Sequence, residues 1–129
     1  MNAASPWAQL LAVALGSAVG GVLRWLAQLW LNARWAGFPL GTLVVNCVGG
    51  LLIGMALAWF ARSPNEVLRL LLVTGFLGGL TTFSAFTGES LTLLQRGDVG
   101  WALAHSAAHL LGALACCAIG FRLMKALLA

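Results

Sequence analysis

Hydrophobic positions fall in four long blocks, roughly 7–31, 39–60, 67–94 and 99–127, divided by short polar or turn-forming links at 32–38, 61–66 and 95–98. A helix crosses the hydrocarbon of a bilayer with about 20 mostly apolar residues, and each block reaches that length. The pattern predicts an all-α membrane protein with four transmembrane helices in a single domain over residues 1–129, both ends on the same side. The first block lacks the basic start of a secretory signal and outlasts its apolar core, so it is expected to stay as a helix. Pro39 suits the first turn of the second helix, where its missing N–H costs nothing. Ser63, Pro64 and Glu66 predict a cap, a first-turn proline and an acidic first turn opening the third.

Composition sharpens this picture. Of 129 residues 61% are hydrophobic and only 8% charged, against about a quarter charged in soluble domains. Arg34, Arg62, Glu66, Arg69, Arg96, Asp98, Arg122 and Lys125 stand near block ends, leaving Arg24 and Glu89 inside. Charges in hydrocarbon are costly, so their exclusion agrees with spanning segments. The formal charge of +4 does not indicate a nucleic-acid partner, because the basic residues form no stripe or cluster. Trp7, Trp30, Trp35, Trp59 and Trp101 sit near expected membrane edges, as interfacial rings do; Trp25, next to Arg24, does not.

Basic residues are nearly balanced between the two sides: Arg62, Arg69, Arg122 and Lys125 against Arg34 and Arg96. This is a weak topological signal, and it allows insertion in both orientations and an antiparallel dimer. Gly16 and Gly20, Gly50 and Gly54, Gly75 and Gly79, and Gly112 and Gly120 recur at multiples of four residues, which lets helix backbones approach closely in a bilayer. Cys47, Cys116 and Cys117 lie in apolar runs and read as small space-fillers.

The third block departs from an ordinary lipid-facing helix. Residues 74–86, TGFLGGLTTFSAF, place glycine and hydroxyl residues where Leu and Val are expected. Either a break at mid-membrane or a continuous, tightly packed helix fits. A break is tolerated at that depth only where protein or a water-lined cavity shields it, and it frees backbone groups that bind ions. On the second helix Thr42 and Asn46 share a face; Asn46 either donates to an anion or satisfies the broken backbone. On the fourth, His105, Ser106 and His109 form a second polar surface, with no acidic or thiol ligand beside them in sequence to suggest a metal site. Glu89 reads as a buried, hydrogen-bonded carboxyl or as a vestibule residue, Arg24 as a structural pairing group near the first link or as a functional charge. No acid pair, HExxH, nucleophile with an ordered base, phosphate loop or CxxC occurs, so the chain is not expected to be an enzyme.

Three stretches then carry a resemblance: Gly20-Gly21-Val22-Leu23-Arg24, Pro39 to Asn46, and Gly75 to Phe86 with Glu89. In order and spacing the chain resembles the fluoride-specific ion channel family, small four-helix proteins that protect microbes against fluoride. The resemblance implies passive, selective fluoride export across a bacterial inner membrane by an antiparallel, dual-topology homodimer. It implies a fluoride pathway at Asn46, Phe83, Phe86, Thr42, Ser84 and His109. It also implies a structural sodium ion at the dimer axis, held by the backbone carbonyls of Gly78 and Thr81, with Arg24 and Glu89 as further marks. Phenylalanine ring edges are positive, and hydroxyl and amide donors replace water around a small anion. The fourth helix departs from the family pattern at His105, Ser106 and His109. If His109 lines the path, a neutral imidazole donates one hydrogen bond and a protonated one donates two and adds a charge. The alternatives are a small proton-coupled exporter of drugs or guanidinium compounds, for which Glu89 is the available membrane carboxylate, and a purely structural membrane protein.

Overall fold

The computed structural model describes residues 4–35 and 37–129. Helix α1 (Pro6–Leu31) opens on Ser5, whose hydroxyl accepts from the Ala8 N–H at 3.2 Å. A short 3₁₀ turn (Asn32–Arg34) leads to α2 (Leu40–Arg62). The third span, Glu66–Gln95, is composite. It comprises α3 (Glu66–Arg69), wide π-type turns over Leu70–Leu77, a single turn α4 (Gly78–Leu80), two extended residues, and α5 (Phe83–Gln95). Helix α6 (Val99–Leu127) closes the chain. Four helical segments are thus long and apolar enough to cross a membrane, and no strand occurs among the described residues.

Two expected helix starts shift. Pro39 is the residue before α2 rather than part of its first turn. The third span is capped by Asn65, whose side chain accepts from the Leu68 N–H at 3.0 Å, while Ser63 ends α2. An asparagine carboxamide caps as well as a serine hydroxyl, and here it stands directly before the acidic first turn at Glu66. At the head of α2 an orphan first-turn N–H, that of Gly41, is met by Asn32 Oδ1 at 2.7 Å, so the first link is pinned by Asn32. Arg24 is half-buried on α1 and makes no side-chain hydrogen bond or ion pair among the described residues.

With lipid outside, helices gain little from apolar burial against one another, and close backbone contact takes over. A Cβ on Gly16 would lie 2.2 Å from the Leu71 carbonyl oxygen, and one on Gly20 2.1 Å from that of Phe76. From the facing side, Gly79 fits against Ser17. The same device joins α2 to α6, where Gly54 meets the Cys117 carbonyl and Gly120 that of Leu51. The core is small, with Val45, Leu77 and Leu80 at its centre. Leu10, Leu15, Leu103, Leu110 and Leu114 point outward on α1 and α6, as membrane-facing residues do.

Candidate functional site

At the end of α4 the backbone opens out. Thr81 (φ −83°, ψ 155°) and Thr82 (φ −152°, ψ 118°) are extended. An extended residue turns its N–H and C=O the same way, as in a strand, and both need partners when buried. For Thr82 one side chain supplies them. Asn46 Oδ1 accepts from the Thr82 N–H at 2.8 Å, and Asn46 Nδ2 donates to the Thr82 carbonyl at 3.0 Å. The Thr82 hydroxyl then caps α5 by accepting from the Ala85 N–H at 3.1 Å, and contacts Ser84 Oγ at 3.2 Å. Thr81 Oγ1 folds back onto the Leu77 carbonyl at 2.8 Å.

Two carbonyls lose the donors a continuous helix would provide. The Thr82 N–H, which would bond Gly78, is taken by Asn46, and the Ala85 N–H, which would bond Thr81, by the Thr82 hydroxyl. Gly78 is exposed and Thr81 half-exposed, so both carbonyls lie near an open face of the chain.

Across from the break, α6 presents His109, whose Nδ1 lies 3.1 Å from Asn46 Nδ2. The two backbone bonds to Thr82 orient the amide, so Nδ2 donates and His109 Nδ1 accepts. With Nδ1 as the acceptor, the N–H of the ring falls on Nε2, and Nε2 is buried without a partner among the described residues. One turn earlier a second chain of polar groups runs through the buried Thr42. Gln28 Nε2 donates to Thr42 Oγ1 at 3.2 Å, and Thr42 donates to Glu89 Oε1 at 2.5 Å. Glu89 Oε2 is 3.2 Å from His105 Nε2, and His105 Nδ1 is 2.9 Å from Ser90 Oγ.

Aromatic rings wall this polar column. Phe86 stacks on His105 with centroids 5.4 Å apart and lies 4.7 Å from His109; Phe83 is 5.3 Å from Phe86 and 78% exposed. Towards the link end, Trp35, Phe38 and Trp101 cluster beside His105. A cavity of about 570 Å³ is bordered by Asn46, Thr81, Thr82, Phe83, Phe86 and His109. Another of about 520 Å³ is bordered by Phe38, Pro39, Ala85, Glu89 and Arg96. The Glu89–His105–Phe86–His109 group stands between them.

Of the residues expected from the sequence, Asn46, Phe83, Phe86 and His109 meet at the first cavity. Thr42 and Glu89 join one another beside it, while Ser84 is exposed and touches the group only through Thr82. Sequence reasoning passed over Gln28, Ser90 and Thr82 as connecting partners. Gln28 stands four residues after Arg24 inside an apolar block, a polar pair on one helical face that marked it. Glu89, His105 and His109 offer ligand atoms within 4.8 Å of one another, a grouping invisible to local spacing. Both His105 nitrogens and His109 Nδ1 are engaged in hydrogen bonds, and the proton on His109 Nε2 makes that atom a donor. The trio is thus arranged as a hydrogen-bonding group rather than a ligand set.

Residues 11–121 match the family described as CrcB-like protein, Camphor Resistance (CrcB). The chain belongs to this family. It is 50% identical over 123 residues, 94% of each chain, to the fluoride-specific ion channel FluC of Aromatoleum aromaticum. It is 51% identical over 110 residues to that of Pseudomonas paraeruginosa, covering 84% of this chain and 87% of the relative. To that of Escherichia coli O17:K52:H18 it is 47% identical over 119 residues, 91% of this chain and 94% of the relative. The resemblance seen in the motifs thus extends over nearly the whole chain and includes α6. Its relatives are named as ion channels, a class distinct from enzymes, and the four spans agree with a multi-pass membrane protein.

Proposed function

We propose that this chain is a passive, fluoride-selective export channel that lowers cytoplasmic fluoride in a bacterial inner membrane. The observation that carries this reading is the cavity at the helix break, bordered by Asn46, Thr81, Thr82, His109 and the rings of Phe83 and Phe86. Fluoride is a small, strongly accepting anion. A narrow path that offers donors and positive ring edges repays its dehydration and leaves larger halides under-solvated. In this reading Phe83, Phe86 and His109 border the path, Asn46 orients His109 from within it, and Thr42 and Ser84 stand beside it; no chemical step is required of any of them. Purified protein in liposomes is expected to release fluoride rapidly and electrogenically, read with an ion-selective electrode, while chloride stays trapped. Equal release of both ions, or of neither, rejects the assignment.

The working unit in this reading is an antiparallel homodimer. A difference of only two basic residues between the sides, four against two, allows dual insertion, and the exposed Phe83 and Gly78 supply a face for the second copy. The carbonyls of Gly78 and Thr81, deprived of their helical donors, suit a hard cation, as carbonyls at broken membrane helices do. A sodium ion there would supply positive charge that ties the two breaks together.

A further inference from the structure

We propose that the His109 Nε2–H is the donor that meets the anion at the helix break, and that Asn46 is a positioning residue that keeps the proton on that nitrogen. The identity of the anion rests on the fluoride-channel reading; the placement of the proton rests on hydrogen bonds alone.

A carboxamide has two N–H donors and one carbonyl. In Asn46 the carbonyl accepts from the Thr82 N–H, one N–H serves the Thr82 carbonyl, and the other serves His109 Nδ1. The orientation cannot reverse, because a flipped amide would set N–H against N–H and oxygen against oxygen at Thr82. Asn46 therefore has no donor left for an anion, although its residue type suggests one. Its effect passes through the imidazole instead. With Nδ1 held as an acceptor, a neutral His109 carries its proton on Nε2.

That nitrogen is the buried side-chain polar atom without a hydrogen-bond partner among the described residues, on a side chain only 5% exposed. Its neighbours do not use it. The Phe86 and His105 rings lie 4.7 and 4.4 Å away centroid to centroid. Glu89, the nearest acid, already accepts from Thr42 and faces His105. His109 borders the cavity, and a buried donor without a partner has a defined complement: a small acceptor that enters and leaves.

The test combines a spectrum with two near-isosteric variants. In protein labelled with ¹⁵N-histidine and embedded in bilayers, His109 should give the signature of a neutral ring protonated on Nε2. Added fluoride, but not chloride, should shift it. Asn46→Ala should convert this signal to a mixture of tautomers. In flux assays His109→Gln, whose amide N–H reaches the place of Nε2, should stay within about threefold of the parent. His109→Asn, which mimics only the Nδ1 side, should fall about tenfold or more, the loss expected for one hydrogen bond to a charged group. A parent signal protonated on Nδ1, a tautomer unchanged by Asn46→Ala, or equal flux in the two His109 variants overturns the proposal. A parent channel that passes no fluoride rejects the channel reading and the anion with it, and the tautomer signal still decides the role of Asn46.

Discussion

Thr42 is where α1, α2 and α5 meet in hydrogen bonds. Its hydroxyl is fully buried, accepts from Gln28 and donates to Glu89. Valine at this position has nearly the same shape and leaves both partners unmet, at about 1–3 kcal/mol for each buried group. We expect Thr42→Val to lower the thermal unfolding temperature in detergent and to reduce fluoride efflux, and Thr42→Ser to retain most of both. Equal behaviour of the two variants would show that the hydroxyl has no part in the site. The sequence placed Thr42 and Asn46 on one helical face but left the partners of Asn46 open. An asparagine carboxamide serves an anion or a backbone equally well, and only the position of Thr82 decides between them.

At the scale of the element, the third span depends on outside support at two points. Where its backbone is extended, Asn46 substitutes for the missing helical bonds. Asn46→Ala strips both partners from Thr82 and is expected to cost about 2–5 kcal/mol from two unpaired backbone groups, measured by denaturant titration in mixed micelles. Where its turns widen, over Leu70–Leu77, α1 lies against it through glycines. Gly20 and Gly21 separate packing from propensity. A Cβ on Gly20 would fall 2.1 Å from the Phe76 carbonyl oxygen, whereas one on Gly21 meets nothing within 4 Å. Gly20→Ala should destabilise by about 1–3 kcal/mol through overpacking, and Gly21→Ala should be neutral or gain about 0.5–1 kcal/mol from helix propensity. The same titration checks both; equal shifts would mean that α1 is free to move away.

For the whole molecule, the apolar exterior and the weak asymmetry of the basic residues bear on assembly. A single cysteine in place of Arg96, on a background with Cys47, Cys116 and Cys117 replaced by serine or alanine, reports the orientation of the link before α6. In a dual-topology protein an impermeant thiol reagent should label about half of the population from each side of the membrane. Labelling from one side alone would remove the antiparallel homodimer. Replacing sodium by a large organic cation should weaken the dimer in detergent, read as a shift to monomer on size exclusion. An unchanged elution profile would count against a cation at the Gly78 and Thr81 carbonyls.

The four spans, their approximate ends and the oddity of residues 74–86 were legible in the sequence, because bilayer solvent imposes a length and a polarity that one-dimensional patterns carry directly. Capping was less legible: Asn65 and Ser63 both suit a cap, and the helix path selects Asn65. The convergence of Glu89 from α5 with His105 and His109 from α6 had no local signature, since hydrogen bonds across 16 or more residues depend on how helices cross. Residue order determined a membrane-spanning bundle with a weak point in its third helix. Tertiary packing decided which side chain repairs that point, and it is the repair that brings Asn46 Nδ2 against His109 Nδ1.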